Sequence, residues 1–346
     1  MNRGITYDRK RVVKMAKAYD AQVEKILDKY VGKMSNLATF VPTDKAFKFE
    51  QILPKVQVDA IFNEMHEELL KYILQGVQIE WELSNVKYDK IAESYLRGIT
   101  FEELSDTKKK HLERFRKAIL DRNKKSLKAF TSRKKYGKTL SNRVWGTVKD
   151  FKGNMEVAMQ DLIKTGITDG TSAAEMATNL KKYLKEPNKL YRRVQKDGKL
   201  VPSKAAKMYN PGRGVYRSSY KNALRLARTE INQAYRFADY TRIQNLDFVV
   251  GIRIKRSHQK YDCDICEALK GDYPKDYVFL GHHVSCRCVV ETILADRDEM
   301  KSYLQSMLDG SKEPLVSKHE VKDYPEAFKK FAKNYKKKEK EFNKFI

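Results

Sequence analysis

The sequence predicts a mainly α protein with elongated helical arms and a small α+β module near the C-terminus that a zinc ion orders. Three observations predict it. Apolar residues recur at helical spacing through residues 1–186,. Period-two alternation first appears near residue 250,. All four cysteines, at 263, 266, 286 and 288, fall in one short stretch,. Charged residues make up 34% of the chain, above the typical ~25%, which suits long solvated helices.

Residues 1–135 read as a helical N-terminal arm or scaffold. Val12, Val13, Met15, Ala16, Tyr19 and Val23 keep helical spacing, as do Ile61, Met65, Leu69, Leu70 and Ile73,. Pro42 and Pro54 punctuate the region,. Basic clusters stand at Lys108–Lys110, at Arg122, Lys124 and Lys125, and at Arg133–Lys135. No catalytic motif appears here.

Residues 136–217 form a helical middle region. Leu140, Val144, Trp145, Val148 and Phe151 line one helix, and Met155, Met159, Leu162 and Ile163 continue it,. Asp169-Gly170 signals a turn. Ser172-x-x-Glu175 then reads as a capping box, opening a helix that ends before Pro187,. The stretch 187–217 reads as a loop in which Arg192, Arg193, Arg213 and Arg217 are interleaved with Tyr191, Tyr209 and Tyr216. Tyrosines among arginines can stack on bases while the charges meet phosphates; they can equally clamp a loop onto neighbouring helices.

Residues 218–300 hold the module. A long helix from Ser218 carries a small-residue stripe of Ala223, Ala227, Ile231, Ala234 and Ala238, with arginines on other faces. Residues 248–257 alternate apolar and basic and predict a strand, and the segment CRCVVETIL predicts another,. Residues 301–346 read as a basic tail, helical after Pro325, with Lys336, Lys337 and Lys338 set among aromatic residues; it can lie on DNA, on a neighbouring subunit, or in solvent,.

Lys and Arg number 71 against 45 Asp and Glu, a net charge of +26. Such an excess attracts polyanions, whether nucleic acid, where contact with double-stranded DNA would be sequence-independent, or an acidic protein surface; a simply solvated basic surface is the bland reading. No window holds the ~18 consecutive apolar residues of a membrane span. The N-terminus has neither the apolar core nor the cleavage site of a secretory signal,. Synthesis in a cytoplasm is therefore expected, where cysteines stay reduced.

Cys263-x-x-Cys266 can point two thiolates at one metal, and His283-x-x-Cys286-x-Cys288 offers a second half,. Cys263, Cys266, His283 and Cys286 are the first choice of ligands. Cys288 shares a face with Cys286 on an extended strand and can replace it, and His282 is a further candidate. The expected role is structural zinc, with Gly271–Pro274 as a turn between the halves. Disulfides or ordinary free thiols are the rival readings. Glu230, Asp262 and Asp264 can bind a hard metal, although acidic surface residues are the simpler reading. A nuclease with a cysteine knuckle and a His-His pair needs further Asn and His ligands; the only later histidine is His319, and Gly281 stands where an acidic residue is needed. No phosphate-binding loop, dinucleotide fingerprint or serine triad is present, so no catalytic residue is assigned.

Ala227-Arg228-Thr229-Glu230 on a helix, then a strand, then Cys-x-x-Cys-x-x-x-x-Gly and Gly-x-His-x-x-Cys-Arg-Cys form a pattern that resembles the phage Mu F-like minor head proteins of the head-morphogenesis family. The match covers roughly 138–295, including SNRVWGTVKDF and PGRGVYRSSYKNALRLARTEIN; Val284 stands where the family has proline after the histidine. The resemblance implies a few-copy virion protein made in the bacterial cytoplasm. It would lie in the head at the portal vertex, with portal and capsid proteins as partners, aiding head assembly and DNA packaging or ejection. Some relatives carry toxin domains; no toxin active site is found here, and a nuclease or injected toxin is the alternative.

Overall fold

A computed structural model describes residues 3–38, 54–120, 122, 124–164, 173–187, 193–202, 216, 218–257, 263–311 and 313–335. The described chain is mainly helical, with a two-stranded hairpin and a small three-stranded sheet. The helices are α1 (Arg3–Ala38), α2 (Lys55–Arg97), α3 (Asp106–Ile119), α4 (Lys124–Ser132), α5 (Leu140–Lys164), α6 (Ala173–Lys185), α7 (Ser219–Gln244), α8 (Asp264–Ala268), α9 (Arg297–Leu308) and α10 (Glu326–Tyr335). The strands are β1 (Arg193–Lys196), β2 (Lys199–Pro202), β3 (Val249–Lys255), β4 (Gly271–Tyr273) and β5 (Val289–Leu294). None of these helices is long and apolar enough to cross a membrane.

Contacts group the chain into two compact units, and neither is continuous in sequence. One comprises Ala16–Leu74 and Gly137–Arg228; the other comprises Met1–Met15, Gln75–Tyr136 and Thr229–Ile346. The four consecutive segments of the sequence reading do not coincide with these units, because α1, α2 and α7 each run from one into the other.

The unit of Ala16–Leu74 and Gly137–Arg228 buries helical stripes. Val23, Ile26, Leu27, Tyr30, Val31 and Met34 come from α1, and Phe62, Met65, Leu69 and Ile73 from α2. Of the expected α5 stripe, Leu140, Val144, Val148, Phe151, Met155 and Met159 are buried and Trp145 is half-buried, while the side chains of Leu162 and Ile163 lie outside the described set. Polar latches join the helices: Tyr220 Oη donates to Asp28 at 2.5 Å, and the Arg228 guanidinium grips both Asp20 oxygens, in the bidentate geometry that favours Arg over Lys,. The stretch 187–217, expected as loop, contains the hairpin β1–β2, with Lys196 opposite Lys199. Its turn is Asp197-Gly198, with φ of 51° and 71°, a two-residue connection whose positive φ values match the twist of the paired strands. The proposed N-cap Ser172 lies outside the described residues, and the helix it was to open begins at Ala173.

The other unit is built around a sheet of order β4-β3-β5, antiparallel throughout. Central β3 buries Ile252 and Ile254 and exposes Arg253, the alternation expected of a half-covered strand,. Gly271–Tyr273, expected as part of a turn, is instead strand β4: Tyr273 lies opposite Ile252 and is fully buried, and the turn falls at Pro274–Tyr277. Strand β5 starts at Val289, so Cys286 and Cys288 precede it. Helix α9 crosses the expected boundary at residue 300 between module and tail, and Glu299 accepts from the Asp296 N–H at 3.0 Å at its N-terminus. One apolar core joins Tyr88, Tyr95 and Leu96 of α2, Phe248 and Ile252 near and on β3, Met300 and Leu304 of α9, and Cys266, Cys286 and Cys288. Tyr95 stacks on Phe248 at 4.2 Å and its hydroxyl donates to the Ala295 carbonyl at 2.8 Å. Helix α10, as expected after Pro325, packs Phe328 edge-on against Tyr273 and Tyr277, at 5.4 and 5.2 Å.

Candidate metal centre

Cys263 and Cys266 sit at the start of α8. Cys263 is the N-cap, and its carbonyl accepts the Glu267 N–H at 2.9 Å. One helical turn then brings Cys266 onto the same side. The second half approaches through a tightly folded loop. Gly281 has φ of 114° and Ser285 φ of 59°, and Cys286 N–H closes a turn onto the His283 carbonyl at 3.1 Å. A Cβ at Gly281 would stand 2.3 Å from Arg236 Nη1 and 3.2 Å from the Cys286 Cβ. Glycine is required there for both conformation and space.

The five expected donors converge. His283 Nε2 lies 3.3 Å from Cys263 Sγ and 3.1 Å from Cys266 Sγ, and Cys266 Sγ lies 3.7 Å from Cys286 Sγ. Two overlapping triads result, Cys263–Cys266–His283 and Cys266–Cys286–Cys288; within each, the ligand atoms lie within 4.8 Å of one another. Cys266 belongs to both. All four cysteines are free thiols, so the disulfide reading finds no support here.

The electrostatics suit a cation. Hydrogen bonds from Cys266 and Cys288 hold Cys286 well below the usual thiol range against its burial, with help from the Arg236 charge. Hydrogen bonding to Cys286 and Cys288, with burial, pushes Cys266 up. At Cys288 the bond to Cys266 lowers the pKa, but bonding to Cys286 and burial outweigh it and leave it at about 12. Packed, buried thiols cannot all ionise unless a cation sits among them. The imidazole is also prepared. His283 Nδ1 lies 2.7 Å from the Val284 carbonyl, an acceptor only, so Nδ1 carries a proton and Nε2 is the nitrogen turned toward the thiols,. Sulfur donors and one imidazole form a group that can hold a metal ion, with softer donor chemistry than a hard cation prefers,.

His282 stands apart from both triads. Its ring meets Phe279 edge-on at 5.0 Å, and burial lowers its pKa to about 4. It stays neutral at neutral pH, and its Nε2 is buried without a hydrogen-bond partner among the described residues. Glu230 is 1% exposed and is paired with Arg133 at 2.8 Å; Asp264 is exposed on α8, and Asp262 lies outside the described residues. Of the basic residues expected to meet nucleic acid, Arg193 opens β1, whereas Arg192, Arg213, Arg217, Lys336, Lys337 and Lys338 lie outside the described residues.

Sequence reasoning missed the residues that hold the second loop. Arg236 of α7, one of the arginines on faces other than the small-residue stripe, is only 5% exposed. Its guanidinium donates to the carbonyls of Leu280 at 2.8 Å, Cys286 at 2.7 Å and Cys288 at 3.0 Å. Asn232, one turn earlier on the same face, also donates to the Cys286 carbonyl, at 3.0 Å. The available signal was the i, i+4 pair of Asn232 and Arg236 flanking the small-residue stripe. Comparison of the chain with protein-family models, with curated proteins and with solved structures finds no match.

Proposed function

We propose that this chain is a structural minor head protein of a tailed bacteriophage or prophage, associated with the portal, whose C-terminal unit is shaped by one zinc ion and whose basic surface meets packaged DNA. The observation that carries the reading is the Cys/His set itself. Its residues stand in the order and spacing of the Mu F-like pattern, and they follow a helix and then a strand, as the residues of that pattern do.

Cys263, Cys266, His283 and Cys286 would hold the ion. The Cys266–Cys286 separation of 3.7 Å is close to the ~3.8 Å edge of a tetrahedron with Zn–S bonds of ~2.3 Å, so Cys286 can serve as the fourth ligand, and Cys288, in the same triad, can take its place. A closed set of four protein donors leaves no position for substrate, so the ion's contribution is its binding free energy, added to folding. The chain's own residues supply the rest: Cys266 anchors the knuckle in the apolar core, and the Val284 carbonyl orients the imidazole.

DNA contact is supported by the charge distribution. Residues 108–138 hold fourteen Lys and Arg against two acidic residues. On α3, Lys110, Arg114 and Lys117 fall at i, i+4 and i+7 on one face; all three are exposed, and none has an ion-pair partner among the described residues,. Contacts of this kind reach phosphates and carry no sequence information.

The test joins localisation to binding. Electron microscopy of purified heads, with the protein labelled, is expected to place it at the portal vertex. Binding to unrelated duplexes is expected to weaken steeply with salt and to show no preference. Replacing Lys110, Arg114 and Lys117 together by Ala is expected to reduce the slope of log K against log salt by up to ~2.7, at ~0.9 per phosphate contact. Strong preference for one sequence, absence from heads, or plasmid nicking with Mg²⁺ that His283→Ala abolishes would each overturn the reading.

A further inference from the structure

Arg236 presents an electrostatic problem. A guanidinium removed from water costs several kcal/mol unless negative charge faces it. Arg236 is 5% exposed, yet among the described residues it forms no ion pair with a carboxylate. Its bonds go to the carbonyls of Leu280, Cys286 and Cys288, and its Cζ lies 5.0 Å from the Phe279 ring centroid. Carbonyl dipoles and a ring face supply partial charge only. The residues whose carbonyls it grips include two that can carry a full negative charge, the thiol-bearing Cys286 and Cys288. The position is fixed from the other side as well, because Gly281 leaves room for Nη1 that any side chain would fill.

We propose that Arg236 is the built-in counter-cation of the metal–thiolate cluster. One divalent ion, three thiolates and a neutral imidazole carry a net charge of −1. One permanent, non-titrating positive charge delivered from α7 matches it. Two thiolates and two imidazoles would be neutral and would leave Arg236 unanswered. Four thiolates would leave one negative charge over. Arg236 thus acts as a positioning and charge-setting residue for a site of three cysteines and one histidine, and it couples the second half of the site to α7. This inference rests on the zinc reading of the preceding section.

The test separates charge from hydrogen bonding, in the full-length protein. Zinc affinity at fixed pH is measured by chelator competition, and thiolate-to-cobalt charge-transfer absorption is recorded after Co²⁺ loading. Arg236→Lys keeps the charge and loses the fork. Arg236→Gln keeps an amide donor and loses the charge. Arg236→Gln is expected to weaken zinc binding about 10–100-fold, the usual effect of losing an outer-shell partner, and to shift the cobalt charge-transfer band. Arg236→Lys is expected to stay within about threefold of the parent and to restore the band. Asn232→Ala, which removes a bond to the same Cys286 carbonyl but no charge, serves as the folding-tolerant control and is also expected within about threefold. Equal losses in the Lys and Gln variants, or an Asn232→Ala loss as large as that of Arg236→Gln, would overturn the charge role while leaving the zinc site standing. A parent protein that takes up no zinc would overturn both.

Discussion

Replacing Gly281 by Ala probes the tightest point of the site, and Gly310 supplies its control. Both glycines adopt positive φ, 114° and 94°. Alanine at either position therefore carries a backbone strain of about 1–2 kcal/mol. Their surroundings differ. Nothing lies within 4 Å of a Cβ at Gly310, whereas at Gly281 it would stand 2.3 Å from Arg236 Nη1 and 3.2 Å from the Cys286 Cβ. The guanidinium must move, and the Leu280 bond at 2.8 Å goes first. A hydrogen bond to a charged group is worth about 1.5–3 kcal/mol, so the total for Gly281→Ala is about 3–5 kcal/mol. In a unit of about 200 residues each kcal/mol moves the midpoint by roughly 2–4 °C,. Thermal unfolding of the metal-loaded protein is therefore expected to fall by roughly 10 °C for Gly281→Ala and by roughly 3–5 °C for Gly310→Ala. Equal shifts in the two variants would show that the close approach of Arg236 to the loop contributes nothing.

Three further outcomes are expected. Cys266→Ser removes the one thiol common to both triads; metal analysis of the purified reduced protein should show the ion lost and the melting midpoint lowered, and retention of a full equivalent of metal would refute the shared role. Asp89→Asn should cost about 2–4 kcal/mol in denaturant unfolding, because Asp89 answers both Arg242, 1% exposed and 2.7 Å away, and Arg122 at 2.5 Å,. Adding Arg242→Met to that change should recover part of the loss. Glu299 accepts from Ser317 Oγ at 2.6 Å, from Lys318 N–H at 3.1 Å and from Asp296 N–H at 3.0 Å, and these bonds, the Ser317 hydroxyl first, hold its carboxyl below the ordinary value of 4.5. A depressed carboxylate stabilises the fold above its unfolded pKa and loses that contribution as pH falls through the folded one. The stability gap between the parent and Glu299→Gln should therefore be widest near neutrality and close at acid pH; a constant gap from pH 7 to pH 3 would contradict the linkage.

Much of the helical frame was legible because long apolar stripes repeat over several turns, as in α1, α2 and α5, and the Ala223–Ala238 stripe lies buried as expected. Strand β3 was legible from the alternation of Ile252, Arg253, Ile254 and Lys255. The short elements were not. Gly271–Tyr273 has a turn-like composition, and only pairing with Ile252 makes it a strand, a tertiary effect that local propensity does not contain. The hairpin at 193–202 was missed although its Asp-Gly turn is a strong local signal, because the flanking basic residues masked the alternation. Helix α9 carries one local start signal, the Asp296-x-x-Glu299 capping spacing,. The donors of the site were readable because thiol and imidazole chemistry is carried by residue type and spacing. Arg236 was not, since burial of a cation depends on what closes over it.

The discontinuous unit has a consequence for synthesis. The hydroxyl of Tyr95 meets its carbonyl acceptor 200 residues downstream, and Tyr88 and Leu96 belong to the same apolar core as Met300 and Leu304. At translation rates of ~5–20 residues per second, the second half of α2 waits about 10–40 s after leaving the ribosome before those partners exist. During that interval a nascent chain exposes an oily surface that a holdase chaperone would recognise. A truncated product ending before α9 should accumulate as aggregate rather than as a partly folded soluble fragment.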